Sequence, residues 1–284
     1  MAILGKRNTL TVLKDSRPGL YLDGGELGEI LLPGDSIPDG AQVGDAIDVF
    51  LYRDSEDRLI ATTRIPRAVV GEFAALQVTS VHPAIGAFLD WGLPKDLLLP
   101  NREQPHRVYP QDIVVVFIYI DEKSQRIVAS ARWERHISAE PANYAIGATV
   151  SMLVASETPL GYKVIIDNSH MGLLYRSELG TEIKIGETHP GYVRAIRPDG
   201  KIDLGLDPEG YQRIGPLAER ILDTIRRSGR LSLSDRSTPE EIRAAFQTSK
   251  KAFKQALGTL YRQRLIQIET DGITLQEPRP GVKN

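Results

Sequence analysis

The sequence has no cysteine among its 284 residues. A disulfide framework, a thiol nucleophile and a thiolate metal site are therefore excluded. The longest strongly apolar run, residues 113–120, is far shorter than the roughly 20 residues that a membrane-spanning helix requires. Residues 1–7 contain no apolar signal-peptide core. These absences predict a cytoplasmic protein with no membrane partner.

Motifs for catalysis and cofactor binding are also lacking. The glycines of residues 24–28 fall in a predicted hairpin that does not lead into a helix, so they do not form a phosphate-binding loop. No Ser, His and Asp set stands in a known nucleophile context, and no carboxylate cluster suits the metal ions of an RNA-cleaving enzyme. The five histidines fall at no metal-ligand spacing: His82, His106, His136, His170 and His189. We expect no enzymatic activity, no metal and no cofactor.

Charge is distributed unevenly along the chain, whose net charge is −2. Residues 1–210 hold 21 Lys and Arg against 29 Asp and Glu, which gives −8. Residues 211–284 hold 14 against 8, which gives +6. A basic C-terminal segment on an acidic body indicates contact with an anion, and the alternative is an ordinary solvated helix surface.

A hairpin motif recurs three times. Residues 86–92 read Gly-Ala-Phe-Leu-Asp-Trp-Gly, and related segments begin 67 residues earlier, at residues 19–25, and 75 residues later, at residues 161–166. Each copy is followed by a leucine-rich segment, and a unit repeated in this way predicts tandem domains of similar structure. Because each unit of about 65 residues is close to the lower size limit for an independent core, we expect contact between neighbouring units.

Each repeat contains five predicted short strands with turn signals between them, which is the pattern of a small barrel. In the first repeat these strands cover residues 9–13, 20–22, 29–32, 46–52 and 59–63. The apolar run 113–120 of the second repeat predicts a strand buried on both faces, one inside the barrel and one against a neighbouring domain. Residues 131–146 form a predicted linker to the third repeat.

The hydrophobic period changes from two to 3.6 residues at Pro216, which predicts helices in the C-terminal region. Thr238, Pro239 and Glu241 predict a helix start with an N-cap, a proline at the first position and a capping box. The Asp-Gly pair of residues 271–272 predicts a hairpin. The resulting order of helix, short strand, helix, helix and hairpin is that of a winged helix.

The predicted fold class is therefore mainly β with a C-terminal α+β domain. Three tandem five-stranded barrels of the oligonucleotide-binding (OB) fold are expected at residues 1–67, 68–140 and 141–212. A winged-helix domain follows at residues 213–277, and residues 278–284 form a polar tail.

The repeats resemble the S1 domain, an RNA-binding barrel of the OB fold. The resemblance rests on Gly-x-Phe-Leu-Asp in the second strand and on Arg-Ile-x-x-Ser after a charged turn. In the second repeat the matching residues are 86–90, Asp121, Arg126, Ile127 and Ser130. Three such units before a winged helix are similar, over nearly the whole chain, to the conserved virulence factor B family of bacterial RNA-binding regulators. The resemblance implies RNA binding, post-transcriptional regulation and no catalytic activity.

The stacking platform of the S1 domain is incomplete here. S1 domains usually stack bases on two aromatics of the second strand and on an aromatic or histidine of the third. The first position holds Pro18, Ile85 and Leu160, the second Tyr21, Phe88 and Lys163, and the third Leu31, Leu98 and Tyr175. Each base stacked on an aromatic contributes about 1–3 kcal/mol, so the first two barrels are expected to bind weakly or to act as scaffold. The barrels are acidic and nothing basic is expected near Tyr21, but Tyr21 and Phe88 remain candidate RNA contacts.

The third repeat and the winged helix combine aromatic and cationic side chains, as single-stranded nucleic acid requires. The candidate RNA-binding residues of the third repeat are Tyr162, Lys163, Tyr175, Arg176, Arg194, Arg197 and Lys201. Those of the third helix of the winged helix are Lys250, Lys251, Lys254 and Arg262, and Thr248 and Ser249 at its start are expected to face a phosphate. The alternative is that the tyrosines are half-buried barrel residues and the helix is a protein contact.

The leading hypothesis is a non-enzymatic protein that binds single-stranded RNA through the third barrel and the winged helix. A transcription regulator that places the winged helix on duplex DNA is the first alternative, although Glu269 and Asp271 in the predicted wing would repel phosphates. A scaffold whose degenerate barrels bind ribosomal or regulatory proteins is the second.

Overall fold

The structure is a computed structural model that describes residues 2–176, 179, 183–206, 215–234, 237–262, 265–269 and 272–276. The chain divides into two compact units, residues 1–206 and 207–284. The predicted boundary between residues 212 and 213 and the predicted tail 278–284 lie outside the described residues.

The first unit contains three closed barrels of five strands, as predicted. The first barrel consists of β1 (Arg7–Ser16), β2 (Gly19–Asp23), β3 (Glu29–Pro33), β4 (Ala46–Arg53) and β5 (Leu59–Thr62). The second consists of β6 (Phe73–His82), β7 (Gly86–Asp90), β8 (Leu97–Pro100), β9 (Ile113–Ile120) and β10 (Ile127–Ser130). The third consists of β11 (Thr149–Thr158), β12 (Gly161–Ile166), β13 (His170–Tyr175), β14 (Thr188–Ile196) and β15 (Ile202–Gly205).

All three barrels have the same topology. In each barrel the first strand pairs antiparallel with the second and the fourth, the second pairs antiparallel with the third, and the fourth pairs antiparallel with the fifth. The third strand closes the barrel by pairing in parallel with the fifth. The second and third strands therefore form a hairpin, and the fifth strand lies beside the third in the same sheet. In the OB fold the outer face of this hairpin and the adjoining loops contact oligonucleotides.

A glycine begins the second strand of each barrel because no other residue fits there. Gly19, Gly86 and Gly161 have φ angles of 148°, 145° and 154°. A Cβ on any of them would lie 2.1 or 2.2 Å from a carbonyl oxygen of the paired strand. The recurring glycine of the sequence motif is thus explained by close approach of two backbones.

The first and second barrels share a core through β4. Val49 and Leu51 point into the first barrel, whereas Phe50 and Tyr52, on the opposite face of the strand, pack with Trp91 of the second barrel. The Phe50 and Trp91 rings meet edge to face with centroids 5.6 Å apart. The expected contact between neighbouring units is confirmed here.

The second and third barrels pack in the same way through β9. Val116 and Ile118 fill the second barrel, whereas Val115 and Phe117 join a cluster with Ile165 of the third barrel. The prediction that residues 113–120 are buried on both faces is confirmed for these central residues. The predicted linker contributes as well, because a 3₁₀ helix at Trp133–His136 places the buried Trp133 ring in this cluster.

The second unit has the predicted order of elements. It comprises α1 (Pro216–Ser228), β16 (Arg230–Leu231), α2 (Pro239–Phe246), α3 (Lys250–Arg262), β17 (Ile266–Glu269) and β18 (Gly272–Leu275), with the strands in the order β16-β18-β17. The Thr238 hydroxyl and the Glu241 carboxylate form the predicted capping box at the start of α2. Apolar faces of the three helices and the sheet enclose one core. No helix within the described ranges is both long enough and apolar enough to cross a lipid bilayer.

Candidate nucleic-acid interface

Strand register defines equivalent positions on the outer faces of the three barrels. Tyr21 pairs with Leu31 in the first barrel, and Phe88 pairs with Leu98 in the second. In the third barrel Lys163 pairs with Leu173, whereas Tyr175 pairs with Gly161 at the end of the hairpin.

The prediction that Tyr175 occupies the third platform position is therefore wrong, because Leu173 holds it. The spacing in the sequence indicates this position, because in every barrel a leucine lies 12 residues after the hairpin glycine. These leucines are Leu31, Leu98 and Leu173. The leucine-rich segment of the third repeat lacks the proline that ends the strand in the other two, so its sequence pattern places the third platform position two residues too far along the chain. Tyr175 nevertheless lies on the same outer face, since it is two residues from Leu173 along β13.

Tyr162 lies in the core of the third barrel and is only 7% exposed. The Arg176 guanidinium covers its ring at 5.3 Å from the centroid. This burial contradicts the prediction that Tyr162 contacts RNA with its ring. The reason is the period of two along a strand, because β12 turns Lys163 outward and therefore turns Tyr162 inward.

Tyr175, Arg197 and Asp203 form a polar cluster on the outer face of the third barrel. Arg197 Nε lies 2.8 Å from Asp203 Oδ2, and another of its nitrogens donates to the Tyr175 hydroxyl. The Tyr175 hydroxyl donates to Asp203 Oδ1 at 3.3 Å. Hydrogen bonding to Asp203 and its charge raise the pKa of Arg197 above the ordinary value. Tyr175 and Arg197, two of the predicted RNA contacts, thus lie together, but both are bound to the carboxylate of Asp203.

The other predicted cations of this barrel also have partners. Lys163 Nζ lies 2.6 Å from a carboxylate oxygen of Glu134, which belongs to the 3₁₀ helix between the second and third barrels. Lys201 pairs with Asp199 at 2.7 Å, and Arg176 pairs with Glu157. Arg194 is half-buried, and its guanidinium lies over Gly205. Sequence reasoning identified these cations but not the carboxylates beside them.

Tyr21 in the first barrel has a cation that its sequence neighbourhood does not reveal. Lys14 on the paired strand β1 holds its Nζ 4.8 Å from the centre of the Tyr21 ring, and it also forms an ion pair with Glu29. The expectation that nothing basic lies near Tyr21 is therefore wrong. Phe88 in the second barrel is half-buried and lines a cleft against the first barrel.

Helix α3 separates an apolar face from a cationic one. Phe253, Leu257 and Leu260 are buried in the domain core, whereas Lys251 and Lys254 are exposed and Lys250 is partly exposed. The Ser249 hydroxyl accepts a hydrogen bond from the Ala252 amide at 3.2 Å, so it caps the helix. The predicted phosphate contact by Ser249 would have to compete with this bond.

Two further predictions about the winged helix concern residues at the edge of the described chain. Arg262 lies in α3, but its side chain falls outside the description. Glu269 on β17 lies 3.8 Å from an Arg230 nitrogen, so its charge is partly balanced, and Asp271 is outside the described residues. Among the described residues, no group of three His, Asp or Glu side chains could hold a metal ion.

Comparison with known proteins places both units in named domain families. The S1 domain model matches residues 4–64 and 70–131, and the CvfB-like winged helix domain model matches residues 219–275. The third barrel lies outside these ranges, but its strand order and hairpin glycine are those of the first two.

Similar proteins cover most of the chain. The uncharacterized protein YitL of Bacillus subtilis strain 168 is 30% identical over 269 residues, which are 91% of this chain and 89% of YitL. Conserved virulence factor B of Staphylococcus aureus strain N315 is 28% identical over 258 residues, 84% of this chain and 81% of that protein. A solved structure of a multidomain protein with nucleic acid binding domains from Streptococcus pneumoniae TIGR4 is 24% identical. It covers 96% of this chain and 98% of that one, with a TM-score of 0.42.

Proposed function

Because the chain belongs to the conserved virulence factor B family, we propose that it is a non-enzymatic protein that binds single-stranded RNA and regulates gene expression after transcription. S1 and winged-helix domains point to nucleic acid as the class of ligand. We also propose a cytoplasmic location, where such RNA would be met.

The observation that carries the proposal is the cationic outer face of α3. Lys250, Lys251 and Lys254 lie within five residues on one exposed side of a helix that is anchored by Phe253 and Leu257. Lysine is a mobile point charge that suits phosphate oxygens without demanding one geometry. A chain whose phosphates are spaced irregularly, as in single-stranded RNA, can therefore be held by such a face.

The third barrel supplies the second part of the proposed interface. Tyr175 gives a ring for stacking, and Lys163 and Arg197 give charge on the same outer face. The exposed ion pair of Lys163 with Glu134 does not prevent phosphate binding, because exposed ion pairs contribute only about 0–1 kcal/mol. A phosphate can displace a carboxylate at that cost.

The test is a titration of the full chain with single-stranded RNA, duplex RNA and duplex DNA at about 50 and 200 mM salt. We expect single-stranded RNA to bind most tightly, with an affinity that falls as salt rises. Lys251→Glu should weaken binding and reduce the salt slope by about 1. Lys123→Glu, which makes the same charge change in an exposed turn of the second barrel, is the matched control and should leave the affinity nearly unchanged.

Two outcomes would contradict the proposal. Equal or tighter binding of duplex DNA would favour a winged-helix transcription regulator, for which α3 would act as a recognition helix. No binding of any nucleic acid at low salt would favour a scaffold that uses the barrels to bind proteins.

A further inference from the structure

Helix α3 carries an exposed aromatic side chain on its cationic side. Tyr261 is 58% exposed, and its ring and hydroxyl make no aromatic contact, cation–π contact or hydrogen bond with another described residue. Lys254 and Lys250 precede it by seven and eleven residues, which are about two and three turns of a helix. The three side chains therefore follow one line along α3.

A glycine interrupts this line. Gly258 lies three residues before Tyr261 and four residues after Lys254, so it belongs to the same face of the helix. It stands in the interior of a helix of 13 residues, where glycine is the least favourable residue after proline. Its φ angle is not in the left-handed region, so backbone conformation does not require a glycine here.

Packing does not require a glycine at this position either. Apart from the helix backbone beside it, a Cβ on Gly258 would have no heavy atom of the described residues within 4 Å. In the third barrel, by contrast, a Cβ on Gly172 or Gly191 would lie 2.4 or 2.2 Å from a side-chain atom. Gly258 thus leaves open space on the surface of α3 for which the fold of the domain gives no reason.

This open space adjoins the Tyr261 ring. Side chains of an α-helix lean toward its N-terminus, so the ring is directed over the turn that contains Gly258. A longer residue at position 258 would cover part of the ring, whereas glycine leaves room for a second flat ring. Uncovered aromatic rings of this kind stack the unpaired bases of single-stranded nucleic acid.

The charges around the ring suit the phosphates on either side of such a base. Lys250 and Lys254 add to one positive field along the same face. Glu241 is close enough to Lys250 for the lysine to help lower the pKa of that carboxyl, but this carboxylate is bound to the Thr238 amide in the capping box of α2. A duplex, whose bases are already paired and stacked, would reach the lysines but would offer no base to the ring.

We propose that Tyr261 stacks one unpaired base of a single-stranded RNA above Gly258, while Lys250 and Lys254 bind the flanking phosphates. The inference rests on the proposed function for the identity of the ligand, and it names the residue by which α3 distinguishes a single strand from a duplex. A helix that reads a duplex contacts the bases through residues near its N-terminus, whereas Tyr261 is the next to last residue of α3.

The first test is Gly258→Ala in the full chain, with two measurements. Alanine favours the helix, so the temperature at which the helical circular dichroism is lost should rise by a few degrees. That signal reports on this domain, because α1, α2 and α3 are the α-helices of the described ranges. Fluorescence titration with a short single-stranded RNA should show the opposite trend, an affinity about fivefold lower, and the longer neutral side chain of Gly258→Gln should lower the affinity further.

The second test removes the ring. Tyr261→Ala should weaken the binding of single-stranded RNA roughly 5- to 150-fold, the range for one lost stacked base, and should leave duplex RNA unaffected. Tyr261→Phe retains the ring and should bind nearly as well as the native chain. Tyr109→Ala is the matched control, because Tyr109 of the second barrel is 57% exposed, and it should leave the affinity unchanged.

Each contrary outcome has a distinct meaning. If Tyr261→Ala and Gly258→Ala bind single-stranded RNA as the native chain does, while Lys251→Glu weakens it, the stacking site is excluded and the proposed function stands. An equal loss in Tyr109→Ala, or an equal loss of duplex RNA in Tyr261→Ala, would also overturn the inference. If Gly258→Ala lowers helix stability together with affinity, the glycine serves the fold and not the ligand. If the native chain binds no single-stranded RNA, the proposed function fails, and the stacking site fails with it.

Discussion

The third barrel and helix α3 both present cations, but their immediate surroundings differ. Lys163, Arg176, Arg197 and Lys201 of the barrel each have a carboxylate within ion-pair distance. In α3, no carboxylate of the described residues lies within 4.0 Å of Lys250 or Lys251. Equal numbers of Lys and Arg in a sequence therefore do not imply equal attraction for phosphate.

The difference follows from how the two elements are built. A barrel strand has neighbours on both sides, so an outward cation meets side chains of the next strand or of a linker, as Lys163 meets Glu134. On the exposed side of α3, Lys250 and Lys251 form no ion pair with a carboxylate of the described residues, although Lys250 lies near enough to Glu241 to help lower the pKa of that carboxyl. Like charges one turn apart, such as Lys250 and Lys254, add to one positive field. Ligand phosphates should accordingly gain most from α3, while the barrel should contribute stacking and a smaller electrostatic gain.

Charge reversal on α3 should have the largest effect. Each hydrogen bond to a charged group contributes about 1.5–3 kcal/mol, so Lys250→Glu with Lys251→Glu should weaken RNA binding by a factor of about 100 or more at low salt. The double variant Arg107→Glu with Lys123→Glu changes net charge equally at exposed loop positions of the second barrel. An equal loss in this control, measured by fluorescence titration, would show that net charge alone matters and would remove the distinction between the two regions.

Removal of the Tyr175 ring should have an intermediate effect. If a base stacks on this ring, Tyr175→Ala should weaken the binding of single-stranded RNA roughly tenfold. Tyr175→Phe keeps the ring and loses only the hydroxyl bonds to Arg197 and Asp203, so it should bind nearly as well as the native chain. Similar affinities of the alanine variant and the native chain would restrict the barrel to a supporting role.

Removal of a carboxylate from the barrel should have the smallest effect and the opposite sign. Glu134→Gln frees Lys163 from its ion pair, and because exposed pairs contribute about 0.2–1 kcal/mol, RNA affinity should rise by about 1.4- to fivefold. Glu122→Gln removes an equivalent charge in an exposed turn and is the control. An unchanged affinity of the Glu134 variant would indicate that Lys163 does not contact RNA.

The fold could be predicted from the sequence because its signals are local. Alternating apolar residues, the hairpin glycine and the Thr238–Glu241 capping box each report on a few neighbouring residues. The same period of two could have separated Tyr162, which is buried, from Lys163, which is not. Counting from the hairpin glycine could also have placed Leu173 correctly.

The remaining features depend on contacts between distant parts of the chain. Glu134 beside Lys163, Asp203 beside Arg197 and the cleft between Arg53 and Phe88 are set by barrel closure and by packing of one barrel on the next. No spacing rule brings such residues together in one sequence. Site predictions from residue type alone therefore overestimate how exposed and how unpartnered each side chain is.

The most direct test of the RNA contacts proposed for the third barrel and for α3 is photochemical cross-linking of a single-stranded RNA to the full chain, with the linked residues identified by mass spectrometry. Cross-links should concentrate on β13 around Tyr175 and on α3 around Lys250 and Lys251, and excess unlabelled single strand should compete them away. Specific cross-links that avoid both α3 and β13 would contradict the account.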